Sequence, residues 1–229
     1  MHEVREISES IYDSGPEKQV QTFVRNIRKS FLLQVGACDG VTSENMRDVF
    51  NETDWSAVML EPLPDMFAKL QVNWAHKPKF QLVNAALAPY DGTAEIRRIP
   101  PEDVRASDAW EWGISSLNGV DSSFGRPGFH KETAEFLTSR SRLEQVKTIS
   151  FETLKKNVGI KRIDYIQIDT EGYDRIVMEE IDLVRFRPFL IQCEIYNLST
   201  VDRAKLFGYL QRHGYSILYW TFDLIAYHL

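Results

Sequence analysis

The sequence predicts an α/β fold built on a doubly wound, mostly parallel sheet, and two features of the chain predict it. Short apolar runs alternate along its length with amphipathic stretches of helical period. Two of those runs stop abruptly in turns rich in glycine and acid. Phe31-Leu-Leu-Gln-Val35 enters Gly36-Ala37-Cys38-Asp39-Gly40, and Tyr165-Ile-Gln-Ile168 enters Asp169-Thr170-Glu171-Gly172. Open α/β sheets bind ligands in the crevice beyond the carboxyl ends of their strands, which is where such turns fall.

The elements follow in order. An amphipathic helix over about 16–29 precedes a strand at 31–36, and Thr42, Ser43 and Glu44 open a helix over about 43–51. Strands are expected at about 56–61, 79–84 and 93–99, with a helix at 64–73. Beyond residue 142 come a helix at 151–157, a strand at 163–168, a helix at 173–181, a strand at 189–195 and a helix at 200–213. Residues 215–220 and 224–228 are close enough to form an antiparallel hairpin on the sheet edge. No repeat or low-complexity tract interrupts the pattern, and 229 residues are enough for one well-buried core, so 1–229 reads as one domain.

Residues 100–142 break the rhythm. Pro100-Pro101, Trp110, Trp112, Gly113, Gly119, Gly125, Pro127 and Gly128 mix turn formers with large aromatics, a composition suited to a lid. Trp110 and Trp112 either line an acceptor pocket or staple the excursion to the core. His130, in the same stretch, is a second candidate for a base or a solvated loop residue.

The strand-end groups point to a cofactor. Glycines at 36 and 40 tolerate positive φ and let a ligand approach the backbone. The next strand ends in Glu61-Pro62, with Glu61 twenty-five positions after Gly36, a spacing at which an acid accepts hydrogen bonds from both ribose hydroxyls of a nucleoside cofactor. A dinucleotide site would favour Gly-x-Gly-x-x-Gly; here Asp39 lies inside the turn and would repel a pyrophosphate. An aspartate suits a cation, and S-adenosylmethionine carries a sulfonium and an ammonium. Asn84, at the end of the third strand, is placed either to contact an adenine ring or to serve as a turn residue.

The second turn supplies the chemistry. Asp169, Glu171 and Asp174 are expected beyond the sheet's carboxyl edge, although Asp169 or Thr170 can instead cap the following helix. Asp169 is the preferred group to orient an acceptor hydroxyl or accept its proton, with Glu171 supporting the turn or sharing the role. Glu194, ending the next strand, can join them as a divalent-metal site with oxygen ligands.

With these residues in place the chain resembles the FkbM family of S-adenosylmethionine-dependent methyltransferases. The matching residues are Val35-Gly36-Ala37-x-x-Gly40, Glu61-Pro62, Asn73, Asn84-Ala85-Ala86-Leu87, Ser115-Ser116-Leu117, the segment from Val146 to Leu154, and Ile168-Asp169-x-Glu171-Gly172. They occur in the family's order over roughly residues 31–195. The resemblance implies a class I, Rossmann-like methyltransferase fold with a seven-stranded sheet closed by a C-terminal antiparallel hairpin, and O-methylation of a small molecule or sugar. It adds Ala37, Pro62 and Ala85 to the cofactor residues, and Ser115 and Ser116 to Trp110, Trp112 and His130 as acceptor residues. The sequence departs from the family in having Lys155 after Thr153-Leu154, where Thr-Leu-Asp is frequent, and Asp174 where a further acid follows the Glu-Gly pair.

Composition narrows the partners. Hydrophobic content of 43% and charged content of 26% are those of a globular protein, and a net charge of −6 argues against a broadly basic nucleic-acid surface. Arg97, Arg98, Arg126, Lys131, Arg140 and Arg142 gather around the insert, as a solvated or substrate-facing rim or as a site for phosphate or carboxylate. Cys38 and Cys193 do not suggest a disulfide framework, and no apolar run reaches a membrane span, so the expected compartment is the cytoplasm. An RNA methyltransferase, a nucleotide-sugar oxidoreductase and a noncatalytic nucleoside-binding module are the alternatives.

Overall fold

A computed structural model describes residues 16–27, 29–41, 46–104, 115–117, 131–220 and 222–228. Their first half contains α1 (Pro16–Asn26), β1 (Phe31–Val35), α2 (Arg47–Glu52), β2 (Ser56–Leu60), α3 (Pro64–Trp74), β3 (Phe80–Val83), β4 (Ala86–Leu87) and β5 (Gly92–Arg98). A 3₁₀ turn at Pro101–Asp103, β6 (Ser115–Ser116), α4 (Lys131–Arg140), β7 (Arg142–Ile149), α5 (Phe151–Val158) and β8 (Tyr165–Ile168) follow. The remainder is α6 (Asp174–Glu180), α7 (Leu183–Phe186), β9 (Leu190–Glu194), α8 (Thr200–Arg212), β10 (Ser216–Trp220) and β11 (Asp223–Tyr227).

Seven strands form the main sheet in the order β10-β11-β9-β8-β1-β2-β3. All run parallel except β11, which is antiparallel to both its neighbours. The central strands are nearly continuous apolar runs because helices cover both faces. On one face Leu33, Val35, Val58, Ile166 and Ile191 pack under α5 to α8; on the other Leu32, Ala57, Met59 and Tyr165 pack under α1 to α3 with Phe50 and Trp55. Local signals fix the helix ends: Ser150 and Ser199 accept from the backbone N–H groups of Thr153 and Asp202, and Gly159 closes α5 at φ +76°.

The C-terminal hairpin differs from a simple edge addition. Its second strand, β11, lies between β9 and β10, with Leu224, Ile225 and Ala226 buried, while β10 forms the edge and leaves Tyr219 exposed.

The strand expected at 93–99 does not join this sheet. As β5 it belongs to a second, four-stranded sheet, β4-β7-β5-β6, pairing antiparallel with β7 from Gly92↔Thr148 to Arg98↔Arg142. The reason lies in its period. Exposed Thr93 and Glu95 alternate with Ile96 and Arg98 on the buried side, the pattern of a strand with one covered face rather than two. Ile96 and Val146 dock this sheet onto Leu63 and Met66 at the start of α3. Within the 100–142 insert the described residues include α4 and β6, whereas Trp110, Trp112 and His130 lie outside the described residues, as do Thr42, Ser43, Glu44 and Arg126.

Candidate functional site

The glycine turn after β1 and the acidic turn after β8 are in direct contact. The backbone N–H groups of Gly36 and Ala37 both donate to the Leu60 carbonyl, at 3.1 and 3.0 Å, which folds the turn across the end of β2. Gly36 has φ +84°, and a Cβ there would lie 1.8 Å from the Asp169 carbonyl oxygen. Glycine at 36 is therefore dictated by the backbone of β8's turn. Gly40, at φ +69°, has a similar constraint: a Cβ would meet Trp74 Nε1 at 2.2 Å.

Glu61 is the centre of the cofactor side. The Cys38 N–H donates to its Oε2 at 2.9 Å and the Leu63 N–H to its Oε1 at 2.8 Å, so one carboxylate ties the glycine turn to the start of α3. Each oxygen retains a further lone pair. Burial pushes the Glu61 carboxyl up to about 7, against the opposing pull of the two N–H donors and of Arg98. Asp39 is buried, and its Oδ1 accepts from the Val41 N–H at 2.9 Å while Asn73 Nδ2 donates to its carbonyl at 2.8 Å. Burial and the charges of Glu61 and Asp39 raise the Cys38 thiol to about 12, which leaves it inert as a nucleophile.

At the end of β3, Asn84 Nδ2 donates to the carbonyls of Glu61 and Pro62, at 2.9 and 3.0 Å. Both amide hydrogens thus brace the β2 end, and the side chain offers a ligand only its oxygen. Ala85 and Ala37 are buried, and Pro62 is partly exposed.

The acidic turn divides into groups with different duties. Asp169 is exposed, and its N–H donates to Val35 at 3.0 Å, continuing the β1–β8 ladder one step beyond the strands. Asp174 corrects the expectation that it faces the crevice. It is fully buried, and its carboxylate accepts from the N–H groups of Thr170 and Gly172 at 2.8 and 2.9 Å, so the fold uses it to hold the turn closed. Glu171 takes φ +55°, an unusual backbone conformation for a residue with a side chain. Asn197 accounts for its orientation: Nδ2 donates to Glu171 Oε2 at 2.6 Å and to Glu194 Oε1 at 2.7 Å. Burial, then the charges of Asp169, Asp174 and Glu171, holds Glu194 well above the usual carboxylate range. Among the described residues no group of His, Cys, Asp and Glu is arranged to hold a metal ion. The divalent-cation site considered from the sequence at Asp169, Glu171 and Glu194 is thus not found among the described residues, where Asn197 instead bridges one oxygen of each glutamate.

Other sequence candidates lie elsewhere. Ser115 and Ser116 pair with Arg98 and Arg97 in the second sheet, and Ser116 is buried. Arg98 is no rim residue: it is 2% exposed and forms a two-pronged pair with Asp65, its NH2 donating to Oδ2 at 2.9 Å. Arg142 pairs with Glu102, Lys131 with Glu135, and Arg140 lies over the Phe136 ring. Asn197 escaped the sequence reading because it sits in an irregular segment; its only signal is an amide three positions beyond a strand-end glutamate.

The family model described as the methyltransferase FkbM domain matches residues 34–217. Among curated proteins no sequence match is found. Among solved structures, the methyltransferase FkbM from Methylobacillus flagellatus KT superposes with a TM-score of 0.54 at 12% identity, over 87% of this chain and 44% of that one. This chain therefore spans less than half of that structure's length. Precorrin-6y C5,15-methyltransferase from Geobacter metallireducens GS-15 is similar at a TM-score of 0.46 and 10% identity, over 92% of this chain and 86% of that one. Aeropyrum pernix fibrillarin in complex with S-adenosyl-L-methionine gives 0.46 at 10% identity, over 93% and 74%. The fold is that of the class I, Rossmann-like methyltransferases.

Proposed function

Because the chain belongs to the FkbM methyltransferase family, we propose that it transfers the methyl group of S-adenosylmethionine to a hydroxyl of a small molecule or sugar. The observation that carries the reading is the contact between the two turns, which sets Glu61 and Asp39 on one side of Gly36 and Asp169 on the other. The donor set fits the cofactor: a buried carboxylate with spare lone pairs suits a ribose diol, and the aspartate within the turn suits a cation and opposes a pyrophosphate.

When bound, that cofactor supplies an electrophilic methyl group on a sulfonium. Glu61 would accept from the ribose hydroxyls, and the side chain of Asp39 would favour the amino-acid end. Asn84 would accept from the base through its oxygen, with Gly36, Ala37, Gly40, Pro62 and Ala85 shaping the surface. Asp169 is exposed at the carboxyl end of β8, where it would orient the acceptor hydroxyl and take its proton as transfer proceeds, while Asp174 holds the turn. Glu171, held by Asn197, supports that role. Trp110, Trp112, Ser115 and His130 are the proposed contacts of the acceptor on the insert side, while buried Ser116 supports them from within the second sheet.

Cytoplasmic residence remains part of this reading, and no helix of the described residues is long and apolar enough to cross a membrane. The carboxylates of Asp39 and Asp169 at the strand ends oppose a polyanionic acceptor, which favours a small hydroxyl compound over RNA. Calorimetry with S-adenosylmethionine and with NAD, followed by methyl transfer to a library of hydroxyl compounds, tests the proposal. Binding of the first cofactor alone with O-methylated product is expected; preference for NAD, or cofactor binding with no transfer to any hydroxyl, would overturn it.

A further inference from the structure

Three glutamines lie side by side across the middle of the main sheet. Gln34 is in register with Gln167, and Gln167 with Gln192, so their amides project from the same face. Two residues earlier that face carries Leu32, Tyr165 and Leu190, all part of an apolar core, so the change from hydrocarbon to amide along three adjacent strands is abrupt. One step further toward the carboxyl edge, Asp169 and Glu194 continue the same face, with Asp223 opposite Glu194.

These groups are organised rather than merely polar. The Tyr165 hydroxyl donates to Gln192 Oε1 at 2.8 Å, and Gln192 Nε2 donates to Asp223 Oδ2 at 2.8 Å. A fully buried phenol thereby orients an amide, and the amide orients a carboxylate. Beside them the Gln167 side-chain oxygen is buried and has no hydrogen-bond partner among the described residues, although the residue as a whole is only half-buried. A buried acceptor left so is destabilising until a donor arrives. At the same edge the Phe222 carbonyl accepts from the N–H groups of Ile195 and Tyr196. The Phe222 ring is 54% exposed and stands 4.7 Å from the Tyr196 ring at 80°, an aromatic pair presented beside Asp223.

Resting on the methyltransferase reading, we propose that Gln167, Gln192 and Asp223, with Phe222 at the rim, form the acceptor subsite and take a neutral, hydroxyl-rich ring. Amides and carboxylates spaced along adjacent strands match successive ring hydroxyls, which both donate and accept. The exposed Phe222 ring, set against Tyr196, receives the acceptor ring's C–H face. The carboxylates of Asp169 and Asp223 disfavour an acceptor bearing phosphate or carboxylate. Gln167 precedes Asp169 by two positions along the same strand line, so a hydroxyl of a ring held there would face the proposed proton acceptor.

The test uses the full chain saturated with S-adenosylhomocysteine and a panel of methyl glycosides of neutral hexoses, read by saturation-transfer NMR, with glucose 6-phosphate as the charged comparison. At least one glycoside should bind saturably, and Gln167→Leu and Gln192→Leu should each weaken it about tenfold, the loss expected of a hydrogen bond or two. Phe222→Ala, a surface change that spares the sheet, should weaken it too, and it decides the matter if the glutamine variants do not fold. No saturable glycoside, affinity indifferent to these substitutions, or equal affinity for glucose 6-phosphate would overturn the subsite. Calorimetry with S-adenosylmethionine on the same protein separates the two readings: cofactor binding without glycoside binding removes the subsite alone, and absent cofactor binding removes both.

Discussion

Replacing Gly36 by alanine should damage two turns at once. The new Cβ would lie 1.8 Å from the Asp169 carbonyl oxygen, where real contacts almost never fall below 3.0 Å, so one backbone must retreat by about 1.2 Å. An L-residue in the left-handed region costs roughly 1–2 kcal/mol. Forcing extra volume into a packed interior adds about 1–3 kcal/mol. A loss of about 2–5 kcal/mol follows, large against a domain stability of about 5–15 kcal/mol but compatible with a folded protein. Gly159→Ala is the control, because Gly159 has φ +76° and nothing within 4 Å of a built Cβ. It carries the conformational strain alone. Urea unfolding of both variants, with single-turnover methyl transfer, should show Gly36→Ala less stable by about the overpacking contribution of 1–3 kcal/mol and much slower. Equal stabilities together with an undiminished rate in Gly36→Ala would refute the claim that the two turns share one packing constraint.

Three further outcomes are expected. Asp169→Asn should lower the single-turnover rate about 10²–10⁴-fold while cofactor affinity measured by calorimetry stays near the parent value; near-normal transfer by both Asp169→Asn and Glu171→Gln would end the catalytic assignment. Glu61→Ala should weaken S-adenosylmethionine binding and also lower the melting temperature, since the carboxylate holds the N–H groups of Cys38 and Leu63; unchanged affinity would remove Glu61 from the site. Melting temperature should fall as pH rises from about 5 to about 8: Glu61 titrates near 7 in the folded chain against 4.5 ordinarily, so between those values the native state holds a proton that the unfolded state has lost. Burial shifts Asp174 and Glu194 in the same direction, and scanning calorimetry of Glu61→Gln should show a shallower slope; a parent curve flat or rising over this range would contradict the assignment.

Much of the sheet was legible because buried parallel strands leave uninterrupted apolar runs, as in Tyr165–Ile168, and because capping residues such as Ser150 mark helix ends locally. The second sheet was not. Arg142–Ile149 carries charge on its exposed positions and pairs with β5 across the whole insert, so nothing near it in sequence announces a partner. At the site, the residue types were readable but their duties were not. Asp169 and Asp174 are both acids of one turn, yet one is exposed and the other is enclosed by Thr170 and Gly172; backbone N–H directions decide this, and a sequence does not display them. Arg98 was misread for a related reason, because its counter-ion, Asp65, lies in another element.

The position of β11 bears on how the protein is made. It fills the slot between β9 and β10 although it follows both in the chain, so a nascent polypeptide reaches Glu194 with one flank of β9 still open. Leu190–Glu194 is then the open edge of the sheet and largely apolar, the kind of edge to which a neighbouring chain can add. Docking of Asp223–Tyr227 both seals that flank and delivers Asp223 and the turn beside Phe222 to the carboxyl edge. Ribosome-bound chains halted before residue 223 should consequently recruit holdase chaperones, and release from them should coincide with the docking of Asp223–Tyr227 beside β9.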